Sequence, residues 1–195
     1  MPGRPPATTR DALFDAALAR FEETGVQATS HADIAAEAGI GRTTFYEYFG
    51  SIEDLIVQLV ETRLPDLVSD ILTDVDDGLP PSARLAELAT RMIAFVGTDP
   101  IGLVLHTEVA RLSDHAQRRI QDSHADLSRA FRDVYGDGVA AGVFRELPGR
   151  LAGMLIYEVI MTAARELKAS PDPKQRVHEV SDAATEFLLR GLHLG

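Results

Sequence analysis

Apolar residues recur three and four positions apart along almost this entire chain, and β-branched alternation is missing. That period lines one face of a helix and cannot line one face of a strand, so the chain is confined to an all-α fold. At 195 residues with 45% hydrophobic content, it has enough material for a small head on a larger helical body.

Punctuation residues divide the pattern into nine expected helices and no strands. The first runs from Thr9 to Thr24, with Leu13, Ala17 and Phe21 on one stripe and Gly25 as its stop. A short one follows over Ser30–Ala38, with Thr29 or Ser30 as N-cap, and Gly39-Ile40 breaks it. The third covers Arg42–Tyr48. Ser51 caps a long fourth reaching Thr73, which Pro65 should kink or split. After a loop from Asp74 through Pro80-Pro81, helices are expected over Ser82–Val96, Asp99–Leu112, Ser113–Ala141, Pro148–Ala169 and Pro173–Leu192. Gly136 and Gly138 should loosen the Ser113–Ala141 helix. The working division is 1–50 as head and 51–195 as body.

Composition removes several chemistries. With no cysteine there is no disulfide, thiolate metal site or cysteine nucleophile. The apolar stretch Leu151–Ala164 is too short to cross a bilayer, and Met1–Arg10 lacks the core of a signal peptide. A cytoplasmic protein without membrane contact is expected. Net charge is −11, and the first 55 residues carry four arginines against nine acids. Bulk electrostatics therefore opposes nucleic-acid binding, because phosphate neutralisation normally drives it. DNA contact would have to rest on a few placed groups and on two paired heads.

Residues 29–55 nevertheless have the physics of a helix-turn-helix. Ala35 is small where two helices must approach, and Gly39 supplies a left-handed turn. Ile34, Ala38, Ile40 and Phe45 form the shared core, which leaves Arg42, Thr43, Thr44, Tyr46 and Tyr48 on the outer side of the third helix. Such a helix fits a major groove, and Arg42 suits a guanine edge because its guanidinium bonds bidentately.

The order Ile34-Ala35, Ala38-Gly39, Thr44-Phe45-Tyr46, Tyr48-Phe49 and Ser51-x-Glu53-x-Leu55 resembles the TetR family of transcriptional regulators, over Phe14–Leu55. The resemblance implies a dimeric regulator, a repressor, that binds palindromic operator DNA and is released or modulated by a small molecule in its body. It also implies phosphate contacts at Ser30 and His31 and recognition contacts at Arg42, Thr43, Thr44, Tyr46 and Tyr48. Gly41 and Thr43 depart from the family's usual serine and glycine, so the base sequence it reads cannot be transferred. Ile52 stands in place of a phosphate-binding lysine, and Tyr48 in place of a common histidine. Weaker or more salt-sensitive binding is expected, offset in part by Arg4 and Arg10 in the N-terminal arm.

In the body, Leu151–Ala164 is apolar on nearly all sides and must be covered on nearly all sides. Together with Val177, Val180, Ala184, Phe187, Leu188 and Gly191 in the Val177–Leu192 segment, it is expected to pair with a second copy. Met92, Phe95, Leu103, His106, Tyr157 and Met161 are candidates to line an apolar ligand cavity. His106 and Glu108 stand two apart on different helix faces, so no metal site is expected. Neither a nucleophile elbow nor a phosphate loop occurs, and Gly136-Asp137-Gly138 lacks the residues that would complete one. No enzyme activity and no cofactor are expected. Two other readings stay open from the residues: a ligand-binding protein of this fold with weak or lost DNA binding, and an all-helical enzyme.

Overall fold

The structure, a computed structural model, describes residues 8–73, 75–148 and 150–194; the side chains of Leu103, His106 and Thr107 lie outside the description. Ten α-helices follow in order among the described residues: α1 (Thr9–Thr24), α2 (His31–Glu37), α3 (Arg42–Tyr48), α4 (Ile52–Thr73), α5 (Pro81–Thr98), α6 (Pro100–Glu108), α7 (Asp114–Ser123), α8 (Ala125–Ala140), α9 (Leu151–Ala169) and α10 (Pro173–Leu192). Single 3₁₀ turns occupy Val26–Ala28 and Val109–Arg111. The described residues hold no β-strand; one isolated bridge joins Phe144 and His193.

Two elements differ from the sequence expectation. The expected Ser113–Ala141 helix is two helices, because His124 leaves helical geometry with ψ near zero (1°). The Ser123 hydroxyl satisfies the Arg119 carbonyl at the end of α7, 3.1 Å away. Helix α4 continues through Pro65 without splitting. A proline at that position forfeits only the bond to the Glu61 carbonyl, and the remaining turns carry the helix past it.

The chain forms two compact units. Of the described residues, the first comprises those from Thr8 to Leu64 together with Thr107–Ser123, and the second comprises those within Pro65–His106 and from His124 to Leu194. The backbone therefore passes from one to the other within α4, within α6 and between α7 and α8.

Helix α5 is the spine of the second unit, packed by α8, α9 and α10. Its inward residues Leu85, Leu88, Ala89, Ile93 and Val96 are almost fully buried, as are Ile156, Ile160, Ala164 and Leu167 of α9. The far end of this unit is tied by backbone bonds from Arg145 N–H to the Leu192 carbonyl (2.8 Å) and from Leu194 N–H to the Val143 carbonyl (3.2 Å). Phe144 lies between these ties and fills the space over Gly138, where an added Cβ would sit 2.0 Å from its ring. Gly138 is thus required by packing inside α8 and does not break that helix.

On α10 the buried residues mark the side that faces the subunit's own core. Val180, Ser181, Thr185, Leu188 and Leu192 turn into their own subunit, at the spacing of successive helical turns. Val180 and Leu188, which the sequence pattern grouped with Phe187, are therefore core residues of this chain: Leu188 is turned 100° from Phe187, whereas Val180, two turns earlier on nearly the same line, is covered where Phe187 is not. Phe187 points away and is 71% exposed, with Gly191 exposed beside it in sequence register. Helix α9 presents a matching row of exposed apolar residues: Leu151, Met154 and Leu155.

Candidate nucleic-acid interface

The first unit is organised around an aromatic cluster. Phe14 of α1, Phe45 of α3 and Phe49, which ends α3, are buried to 2% exposure or less, with ring centroids 5.5 Å (Phe14–Phe49) and 5.6 Å (Phe45–Phe49) apart. Ile34 and Ala35 of α2 close the same core. Between α2 and α3 the chain turns at Gly39, whose φ of 68° is one that glycine adopts without a Cβ penalty. The Ile40 N–H bonds back to the Ala35 carbonyl at 3.0 Å and locks the turn. Burial of Phe45 and Phe49 forces the intervening residues outward. Arg42, Thr43, Tyr46 and Tyr48 are exposed and Thr44 is half-buried, so α3 displays the set that its sequence pattern singles out.

The start of α2 is less open to phosphate than the sequence suggests. Ser30 is the N-cap in a reciprocal box. Its hydroxyl accepts from Asp33 N–H (3.2 Å) and donates to the Asp33 carboxylate (2.7 Å), which also accepts from Ser30 N–H (2.9 Å). Such a cap stabilises a helix by about 1 kcal/mol. It also places an acid at the helix end that would otherwise attract an anion. The Ser30 hydroxyl and N–H hold the Asp33 carboxyl below the usual carboxylate range, with Arg20 and His31 adding to the effect. His31 begins α2, and its ring lies against Phe45 (5.9 Å) and Tyr46 (5.0 Å).

The arginines of the head are unequally available. Arg10 bonds Gln58 of α4 and lies 5.6 Å over the Phe14 ring, so it is committed within the subunit. Arg20 pairs with Glu23. Arg4 lies outside the described residues. This leaves Arg42, at the start of α3, as the exposed arginine of the described head that has no ion pair or ring contact among the described residues.

Sequence reasoning missed the part played by residues 107–123. Glu108 is only 6% exposed; it accepts a 2.8 Å bond from Gln27 in the turn just before α2 and lies 3.5 Å from Arg111. Glu53 of α4 accepts from both the N–H (2.9 Å) and the hydroxyl (2.7 Å) of Ser113. Arg119 of α7 donates to Glu61 of α4 through Nε at 2.7 Å. These are long-range pairs between polar residues, and no local periodicity signals them.

Three carboxyls of this unit are held below their ordinary range. Asp33 is held by Ser30, and Glu53 by the Ser113 N–H and hydroxyl. For Asp54 burial is the largest single influence and pushes upward, but the Gln58 amide, the Gly50 N–H, Arg119 and Arg10 together outweigh it. Each group is more acidic folded than unfolded, so its stabilisation is present above about pH 4.5 and is lost as pH falls through the folded value. The melting temperature of the wild type should therefore drop more steeply between about pH 5 and 3 than that of Glu53→Gln. A constant gap between the two curves from neutral to acid pH would refute the assignment to Glu53.

The candidate ligand residues all belong to the second unit. Phe95 and Met161 are buried, Met92 is half-buried and Tyr157 is 51% exposed. Burial nevertheless raises the Tyr157 phenol pKa, and the neighbouring Glu158 adds to this. Leu103 and His106 lie on α6, with side chains outside the described residues. No group of three or more acidic or histidine side chains arranged for a metal ion occurs among the described residues. No described helix is long and apolar enough to cross a membrane.

Two family models match consecutive parts of the sequence. Residues 13–59 match the model described as bacterial regulatory proteins, tetR family. Residues 78–192 match the tetracyclin repressor-like C-terminal domain. The chain belongs to the TetR family of transcriptional regulators. Among relatives of this TetR-family chain is the HTH-type transcriptional repressor KstR2 of Mycobacterium tuberculosis, 31% identical over 144 residues, covering 70% of this chain and 69% of that protein. Another is the fatty acid metabolism regulator protein of Bacillus subtilis, 21% identical over 93% of this chain and 94% of that one. The crystal structure of the Bacillus subtilis regulator FadR with stearoyl-CoA superimposes with a TM-score of 0.76 at 20% identity, covering 93% of this chain and 98% of that one. The structure of the ketosteroid regulator KstR2 of Mycobacterium tuberculosis gives 0.76 at 25% identity over 97% of each chain.

Proposed function

We propose that this TetR-family regulator is a homodimeric repressor that reads a palindromic operator through α3 and is released by a largely apolar small molecule bound in its body. The observation that carries the DNA-binding reading is the display of Arg42, Thr43, Tyr46 and Tyr48 outside a closed Phe14–Phe45–Phe49 core. Arg42 is the base-reading residue, Thr43, Thr44 and Tyr46 support it, and Tyr48 stands toward the backbone. The head as far as residue 50 carries this task, and residues 51–195 carry ligand binding and dimerisation. Few positive charges are on offer, so affinity depends on both half-sites being engaged together.

The second copy docks on the exposed apolar row of α9 and α10: Leu151, Met154, Leu155 and Phe187. Large apolar side chains exposed in this number are costly in water and mark an association surface. For the ligand, Met92, Phe95, Leu103, His106, Tyr157 and Met161 remain the candidates. FadR is described with stearoyl-CoA, and KstR2 is described as a ketosteroid regulator. An extended acyl group or a fused-ring lipid is accordingly the ligand class to test here. Ligand and DNA favour different separations of the two heads, so each weakens the other's binding by the same factor.

The direct test is fluorescence anisotropy of the purified protein on DNA from upstream of its own gene, across a salt series. The Arg42→Ala/Tyr46→Ala variant should bind about 10- to 100-fold more weakly, reflecting the loss of a bidentate base contact of about 1–3 kcal/mol. Equal binding by variant and wild type, or no preference over scrambled DNA even after selection from random sequence, would leave a ligand-binding protein with a silent head.

A further inference from the structure

His31 is the residue whose position in the head least fits a phosphate contact. It occupies the first turn of α2, yet its Nε2 is buried and has no hydrogen-bond partner among the described residues. Its ring lies 5.0 Å from Tyr46 at 51° and 5.9 Å from Phe45 at 45°, while the Phe45 and Tyr46 rings meet edge-on at 5.6 Å. The three rings thus form a closed triangle, with Phe45 fully buried behind it and Tyr46 about half exposed in front. A nitrogen buried in this way cannot reach a phosphate without the ring leaving its seat. The ring contacts, by contrast, limit the directions in which Tyr46 can leave α3.

We propose that His31 is a positioning residue for the recognition helix: its imidazole, wedged against Phe45 and Tyr46, sets the direction of the Tyr46 side chain and makes no phosphate contact through Nε2. This rests on α3 being the DNA-reading helix. The chemistry needed at position 31 is then a flat ring of the right size, and neither a charge nor a donor is required. His31→Phe preserves that ring, whereas His31→Ala leaves one side of Tyr46 unsupported.

The test uses the full-length protein with His31→Phe, His31→Ala, Tyr46→Ala and the His31→Ala/Tyr46→Ala double variant, each first checked for an intact thermal transition. On an operator fragment His31→Phe should stay within about twofold of wild type with an unchanged salt slope, because it keeps a flat ring against Phe45 and Tyr46 and removes no phosphate contact. His31→Ala should weaken binding by about three- to tenfold, the worth of an aromatic pair. In the Tyr46→Ala background the same change should add almost nothing, because the two act as one unit. The free protein supplies an independent readout: Tyr46 ring resonances should move in His31→Ala and return in His31→Phe. Equal weakening by His31→Phe and His31→Ala, with the salt slope reduced by about one, would make His31 a phosphate contact and overturn the proposal. So would additive losses in the double variant, or Tyr46 resonances that do not move in His31→Ala. Wild-type protein that fails to bind DNA while Tyr46 still responds to residue 31 would overturn the DNA-reading role of α3, and the recognition role of His31 with it.

Discussion

Phe187→Asp should convert the protein into a monomer and weaken operator binding by at least about a hundredfold, because two linked heads gain that much or more over one. Phe187 projects away from its own subunit's core, and 71% of it is exposed. Met154, 59% exposed, and Leu155 extend the apolar surface on α9. A carboxylate introduced there must either stay wet, which keeps the faces apart, or be buried without a partner, which costs several kcal/mol. Helical content should hardly change, since Phe187 contributes little to its own subunit's core. Light scattering after gel filtration gives the mass, and anisotropy on one- and two-half-site DNA gives the loss of paired binding. A variant that remains dimeric with unaltered operator affinity would move the dimer contact elsewhere on the molecule.

Phe45→Ala should abolish DNA binding by loosening the head while sparing the second unit. Phe45 is fully buried and touches the rings of His31, Tyr46 and Phe49, so its truncation opens a cavity where α2, α3 and the aromatic cluster meet. Loss of a buried phenylalanine of this kind costs about 3–5 kcal/mol, a large share of the ~5–15 kcal/mol by which a domain is stable. The core of the second unit is built from α5, α8, α9 and α10 and does not use Phe45. Amide hydrogen exchange should therefore quicken across 9–64 and 107–123 and stay slow across α9 and α10. Exchange that quickens evenly over both units would show that the two compact units do not unfold separately.

Several surfaces looked interchangeable in the sequence but are distinct in space. Ser30, His31 and Arg10 are polar or charged residues near the start of a helix, and each was a reasonable phosphate contact by position alone. In the structure Ser30 is spent on its cap with Asp33, His31 on two aromatic rings, and Arg10 on Gln58 and Phe14. Arg42 is exposed at the start of α3, as its sequence position implied. Charge counting over the first 55 residues could not distinguish these cases, because it has no information about which side chains are already engaged.

What the sequence determined by itself is everything written in a local code. The 3.6-residue period set the helices, Gly25 and Gly39 set their stops, Ser30 and Ser51 their caps, and the spacing from Ile34 to Leu55 set the helix-turn-helix. These depend on neighbours a few residues away, so they can be read along the chain. The tertiary structure alone decided which face of α10 is core and which is free, and that His124 divides α7 from α8. It alone placed residues 107–123 with the head through Gln27–Glu108 and Glu53–Ser113. Those pairs lie 81 and 60 residues apart in sequence, and polar contacts at such range leave no period behind. Only the packed chain brings them together.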